Sequence, residues 1–327
     1  MSMLKEKIKV AILMGGPSSE HEISLRSGEN VFNNLNKEKY KAEKIIIDKQ
    51  GNWPITLNEL KENFDICFIA LHGKYGEDGY IQLILEKIKM PYTGSSSLVS
   101  ALCMNKYLTI EILKKENILT PNSLLISKIE WQRNKEVIIK KIKNYFNLPI
   151  VNKPNDHGSS YLIFLVKNFN DLEFSFEKIF KESHYALVEE YIKGKEITCG
   201  VLDYGIKNSA YALLPTEIIV RDREFFDYYA KYDSKLTLEI TPPRLNHSLI
   251  EFIQKQALKI HNILNCRGIS RSDFILTQDN KLYFLEINTI PGLTERSLIP
   301  QAALKTGISF ESLIDRIILA GFNSFKR

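Results

Sequence analysis

The sequence predicts an α/β protein assembled from three consecutive blocks. Three observations carry this. Short apolar runs alternate with helical stretches through the first hundred residues. Two of these runs end on tight glycine turns, Gly15-Gly16 and His72-Gly73. Near the C-terminus, two runs of strand formers flank Asp279-Asn280 as a hairpin.

In the first block, 1–102, Ile8 to Met14 is apolar throughout, the pattern of a buried parallel strand. Ser18 or Ser19 is expected to cap a helix running to about Asn36, with Pro17 in its approach. Ile45-Ile46-Ile47 and Ile66 to Leu71 supply two more strands, and Ile81 to Lys89 a helix. Such alternation gives a parallel sheet covered on both faces, with ligands at the carboxyl ends of its strands. Both glycine turns fall at such ends.

The second block, 103–190, opens with a helix expected over Met104 to Lys115. A strand at Leu124 to Ser127 and a basic helix at Lys135 to Phe146 follow. Pro154 stops the strand Pro149 to Lys153, and a residue before proline avoids helical backbone, so Lys153 projects from a strand end. A polar loop, Asn155 to Ser160, leads into an apolar strand from Tyr161 to Val166. The third block, 191–327, holds strands at Ile197–Leu202 and Ala210–Leu214. A long polar loop (Asp222 to Pro243), a helix (Leu249 to Asn265), the hairpin and a terminal helix complete it.

Composition limits the function classes. Apolar residues make up 44% and charged residues 25% of the 327 residues, which excludes a mainly disordered chain or a disulfide mini-scaffold. The net charge of +5 is dispersed. Stretches such as Lys140-Lys141-Ile142-Lys143 read as a solvated helix face, so no nucleic-acid partner is expected. The four cysteines form no CxxC pair and lie in apolar settings, which fits reduced thiols in the cytoplasm. The apolar run at Val10 to Met14 is too short for a signal peptide or membrane span, so no membrane association is expected.

The chemistry concentrates in the hairpin. With Asp279-Asn280 as its turn, Asp273 lies directly across from Glu286, and Asn288 shares their face. Two opposed carboxylates among Phe274, Ile275, Phe284 and Leu285 need compensation. A proton, a basic side chain such as Arg271, or a divalent cation would serve, and spacing alone leaves the three open. The ligands offered are all oxygens, which suits magnesium or manganese, and magnesium with few protein ligands commonly holds substrate phosphates as well. Lys153, followed by Gly158-Ser159-Ser160, then reads as a point charge beside a loop able to cradle an anion.

Taken in order, these segments resemble the D-alanine–D-alanine ligases of the ATP-grasp superfamily. The resemblance rests on Gly15 to Ser24, Leu71 to Gly79, Pro91 to Ser95, Lys153-Pro154 with Gly158-Ser159-Ser160, Val188 to Tyr191, Asp227 to Tyr232, and Arg271-Ser272-Asp273 with Glu286 to Gly292. It implies an ATP-grasp fold of three α/β subdomains with an N-terminal parallel-sheet domain that binds the first substrate. It also implies ATP, two Mg2+ or Mn2+ ions and two D-alanine molecules, joined through an acylphosphate for peptidoglycan synthesis, and a homodimer. By the resemblance Lys106, Lys153, Ser160 and Lys231 meet ATP and its phosphates. Glu189, the backbone of Glu190 and Ile192, and Glu196 hold adenine and ribose. Asp273, Glu286 and Asn288 hold the metals. Glu20 anchors the first ammonium with His72 nearby, and Ser159 and Tyr232 join Glu20 in a hydrogen-bonded link. Arg271 and the Gly292 amide stabilise the tetrahedral intermediate, and Ser297 and Leu298 receive the second carboxylate.

The chain departs from the family pattern at Tyr161-Leu162, where valine and glycine are usual, at Asn152 and at Asn105. Three readings follow: a D-alanine–D-alanine ligase, a ligase taking D-lactate or D-serine second, or an ATP-binding homologue with impaired catalysis. Tyr232 resembles the D-alanine-selective form.

Overall fold

The computed structural model describes residues 6–158, 162–206, 209–220 and 237–325. Strand β1 (Ile8–Gly15) lies between β2 (Tyr40–Ile47) and β3 (Ile66–Ile69) in a three-stranded parallel sheet. Its side chains alternate between two cores. Val10, Ile12 and Met14 pack with Val31 of α1 (His21–Asn34), whereas Ala11 and Leu13 pack with Leu60 of α2 (Leu57–Asn63) and Ile81 and Leu85 of α3 (Tyr80–Lys87). The expected serine cap of α1 is not formed. Glu20 holds the cap position, and Ser18 Oγ donates to the His72 carbonyl (2.6 Å) while accepting from the Glu20 amide (3.1 Å). Ser18 therefore ties the two glycine turns together.

The helix expected over Met104 to Lys115 is two helices, α4 (Ser97–Met104) and α5 (Lys106–Lys115). Asn105 breaks it: its Oδ1 accepts from the Leu108 amide at 3.1 Å, a side-chain cap that restarts the chain. Lys106 thereby enters the first turn of α5 and is buried rather than solvated.

The second sheet is antiparallel. It contains β4 (Ser123–Ser127), β5 (Ile150–Pro154), β6 (Phe164–Val166) and β7 (Tyr185–Glu190), in the order β4-β7-β5-β6. Helices α6 (Lys128–Arg133), α7 (Lys135–Tyr145) and α8 (Leu172–Glu182) cover one face through Trp131, Ile142 and Phe176. Strand β6 is shorter than its apolar run suggests. Leu162 has φ +58°, a left-handed conformation, so the extended chain starts only afterwards.

The third sheet holds β8 (Lys195–Leu202), β9 (Tyr211–Ala212), β10 (Thr216–Val220), β11 (Thr237–Ile240), β12 (Ile269–Leu276) and β13 (Leu282–Asn288). Its main path runs β11-β10-β8-β12-β13, with β9 beside β8. The long polar loop expected at Asp222 to Pro243 is corrected at its end, because 237–240 form a strand; 221–236 lie outside the described residues. Helix α9 (His247–Ile263) packs on the face formed by Ile197, Cys199, Phe274 and Leu276. The opposite face carries Thr198 and Asp273, which are paired neighbours. After α10 (Leu298–Lys305), α11 (Phe310–Phe325) returns to the first sheet, where Leu313, Ile314 and Ile317 pack against Val10, Ile12 and Phe68.

His261 of α9 is buried, with Nδ1 2.7 Å from Ser270 Oγ. Desolvation lowers its pKa to about 4, so it folds neutral. Below its unfolded value near 6.5 the unfolded chain takes up the proton more readily, so stability falls as the pH drops from about 6.5 towards 4. Urea unfolding at pH 7 and 4.5 should lose about 2–3 kcal/mol from this group, and His261→Gln should remove that part of the loss.

Candidate active site

The hairpin sets Asp273 opposite Glu286 as expected, through two deviations that cancel. The turn is one residue longer: the Asn280 amide reaches the Thr277 carbonyl (3.0 Å), the Thr277 amide reaches that of Lys281 (2.9 Å), and Asn280 takes φ +60°. A bulge between Asp273 and Phe274 then absorbs Leu285 and restores the register, so Asp273 pairs with Glu286 and Arg271 with Asn288.

Basic side chains compensate both acids. Arg271 Nε and Nη2 donate to Asp273 Oδ1 and Oδ2 at 2.9 and 2.7 Å, and Thr198 Oγ1 donates to Asp273 Oδ1 at 2.5 Å. The carboxylate beside it holds the Arg271 guanidinium firmly charged despite burial, raising its pKa further. Glu286 Oε2 lies 3.1 Å from Lys106 Nζ, which also donates to the His157 carbonyl at 2.5 Å. Lys153 Nζ, at the end of β5, sits 2.6 Å from Glu189 Oε2 on β7. Glu189 Oε1 is buried with no hydrogen-bond partner among the described residues.

These features fit a nucleotide and its metal. Two buried ammonium groups stand at a strand end and a helix start, and the one at the strand end pairs with a glutamate whose second oxygen lacks a donor among the described residues. Asp273, Glu286 and Asn288 offer only oxygens, as hard divalent cations require. Among the described residues no three His, Cys, Asp or Glu side chains form a metal-binding cluster. The two carboxylates and one amide therefore suit an ion that completes its shell with water and phosphate rather than a closed protein cage.

A cavity of about 840 Å³ adjoins this region, lined among others by Glu20, His72, Arg271, Asn288, Gly292, Ser297 and Leu298. Gly73 admits close approach to Glu20, since a Cβ there would lie 3.3 Å from its Oε1, and Gly158 lies alongside, where an added Cβ would be in ordinary contact at 3.5 Å. The phosphate-loop candidate thus reaches the amino-terminal turns. His72 Nε2 is 2.8 Å from Ser27 Oγ and Nδ1 is 3.1 Å from the Ile290 carbonyl, which only accepts, so Nδ1 carries the proton. Ser297 holds the N-cap position of α10 without capping it through its side chain, and its Oγ accepts from the Thr294 amide at 3.0 Å. Asn288 Oδ1 accepts from the Ile290 amide at 2.7 Å.

Other expected residues sit nearer the second and third sheets. Glu190 exchanges hydrogen bonds with Asn122: its side chain accepts at 2.8 Å and its amide donates at 3.0 Å. Ile192 lies between β7 and β8, and Glu196 is on β8 opposite Ile275. Ser159, Ser160, Lys231 and Tyr232, with the departure at Tyr161, lie outside the described residues. Sequence reasoning missed Thr198 and Glu239. The alternation Thr237-Leu238-Glu239-Ile240 was the available signal for the latter.

The three sheets, with two buried, carboxylate-paired lysines and an acidic hairpin of oxygen ligands, define an ATP-grasp protein. The D-ala D-ala ligase N-terminus family matches residues 9–62 and 54–95, and the D-ala D-ala ligase C-terminus family matches 112–319. A D-alanine–D-alanine ligase from Carboxydothermus hydrogenoformans is 43% identical over 96% of this chain and 98% of its own length. The D-alanine–D-alanine ligase from Bacillus anthracis complexed with ATP has TM-score 0.81 and 34% identity, covering 98% of this chain and 99% of its own. The VanG D-Ala:D-Ser ligase from Enterococcus faecalis has TM-score 0.84 and 30% identity over 97% of this chain and 100% of its own. The chain belongs to the D-alanine–D-alanine ligase family.

Arg271 and Asp273 are both buried, so neutralising one strands the other. Asp273→Asn should lower unfolding free energy by about 3 kcal/mol in urea titrations, well beyond the effect of Glu286→Gln at its half-buried position.

Proposed function

We propose that this protein joins two D-alanine molecules into D-alanyl-D-alanine with ATP, by way of an acylphosphate, supplying a peptidoglycan precursor. The observation that carries the reading is the Asp273–Glu286–Asn288 face, held to Lys106 through Glu286 and opening through Asn288 onto a cavity with Glu20, Arg271 and Ser297, while Lys153 pairs with Glu189 on the second sheet.

On this reading the three blocks 1–102, 103–190 and 191–327 supply the first-substrate site, the phosphate loop, and the metal site with its lid. Glu189, the backbone of Glu190 and Ile192, and Glu196 take adenine and ribose. Lys106, Lys153, Ser160 and Lys231 take the phosphates, where catalysis is mostly positioning and charge neutralisation. Asp273, Glu286 and Asn288 hold magnesium, which when bound supplies positive charge at the transferring phosphoryl group. Glu20 takes the first D-alanine's ammonium, leaving its carboxylate as the phosphoryl acceptor, and Ser159 and Tyr232 link Glu20 to the loop. Arg271 and the Gly292 amide stabilise the oxyanion that develops when the amine attacks. Ser297 Oγ and the Leu298 amide, at the start of α10, hold the second carboxylate. Among the described residues no helix is long and apolar enough to cross a membrane. A cytoplasmic homodimer is part of the proposal.

Mass spectrometry of products formed from ATP and magnesium with D-alanine, D-lactate or D-serine tests the reading. D-alanyl-D-alanine should dominate. A dominant depsipeptide or D-alanyl-D-serine would reassign the second substrate, and ATP binding without phosphate release would leave a non-catalytic homologue. Glu286→Gln should abolish turnover while circular dichroism stays native. Near-normal phosphate release by that variant would remove Glu286 from the metal site.

A further inference from the structure

Among the described residues, five carboxylates line the cavity: Glu20, Glu29, Glu77, Glu239 and Glu295. Glu29 pairs with Lys44 at 2.6 Å, Glu77 faces His72 at 3.6 Å, and Glu295 is exposed to solvent. Glu20 has the first ammonium as its candidate partner. Glu239 is left, and its placement is specific. On β11 it pairs with Ile218, which pairs with Glu196, so it stands on the sheet face of Thr198 and Asp273. Its Oε2 accepts from Gln301 Nε2 at 2.8 Å, and the same nitrogen donates to the Arg296 carbonyl at 2.8 Å. The carboxylate is thereby tied to the residues flanking Ser297.

Among the described residues no cation forms an ion pair with Glu239. Arg271 of β12 acts on it at longer range, Arg296 and Glu295 border the same cavity, and Glu196 shares its row on β8. Glu217 of β10 is occupied by Lys195 and Arg244. Burial raises the Glu239 pKa, against the Gln301 hydrogen bond and Arg271. A carboxylate so raised is a better base near neutral pH.

We propose that Glu239 accepts the proton of the second amino acid's ammonium and so generates the nucleophile. The inference rests on the ligase reading. With the second carboxylate at Ser297, the adjoining ammonium needs a proton acceptor, because an ammonium has no lone pair with which to attack. Glu239 takes one proton and becomes neutral. The amine nitrogen bonds to the acyl carbon, and the bond from that carbon to the phosphate oxygen breaks. Phosphate leaves carrying the second nitrogen proton, and Glu239 returns its own to solvent.

Glu239→Gln keeps an oxygen for the Gln301 bond and removes the base. Dipeptide synthesis at pH 7 should fall about 100-fold or more and recover as pH rises towards 9, where free amine accumulates. Hydroxylamine, already neutral at pH 7, should still trap the acylphosphate as hydroxamate at the wild-type rate, with an unchanged melting temperature. Dipeptide synthesis within threefold of wild type, or hydroxamate formation lost in equal proportion, would overturn the assignment. Wild-type protein that forms neither hydroxamate nor phosphate would instead remove the ligase reading beneath it.

Discussion

Charge neutrality in a dry interior governs the arrangement of this site. Asp273 and Glu286 are brought face to face by strand pairing, and two carboxylates so placed repel unless cations reach them. Each finds a different one: Arg271 from the same strand for Asp273, Lys106 from α5 for Glu286. Lys153 and Glu189 repeat the device across the second sheet. Replacing such pairs with well-packed apolar residues is often neutral or better for stability. What they provide here is a set of charges held at fixed points, facing one another across separate elements of the fold. A triphosphate with its metal can exchange partners with such a set while the total charge stays balanced.

Much of this was legible in the residues. The alternating pattern of β1 reads directly as a two-faced buried strand, since Val10 and Ile12 serve one core and Ala11 and Leu13 the other. Motif order pointed to the same ligase family that whole-chain comparison gives. The hairpin register was legible only in part. Turn length and bulge each shift pairing by one residue, and neither Asn280's left-handed backbone nor the extra Leu285 is marked by a glycine. The Asn105 break was hidden because asparagine inside a helical pattern looks like a mild propensity defect, while its capping bond depends on local geometry. Strand β11 was lost in a polar stretch because four residues are too few for alternation to stand out.

Close backbone approach shapes the cavity as much as charge does. Gly200 on β8 leaves room for Ile299, whose Cδ1 would lie 2.4 Å from an added Cβ, so the start of α10 settles directly on the sheet face. Gly292 does the same for Ser297 Oγ, at 2.8 Å. A side chain at either point would force Ile299 Cδ1 or Ser297 Oγ to move from its present position. The spacing between Arg271 and the start of α10 is thus set in part by the absence of side chains at these two glycines.

The return of α11 to the first sheet has a consequence for biogenesis. Val10, Ile12 and Phe68 leave the ribosome early, whereas Leu313, Ile314 and Ile317, which cover them, are made long afterwards. That face of the amino-terminal sheet, covered early only by α1, therefore stays partly open for most of translation, an apolar surface accessible to chaperones or to misassociation. The antiparallel second sheet, whose strands and covering helices are contiguous in sequence, can close its own core first.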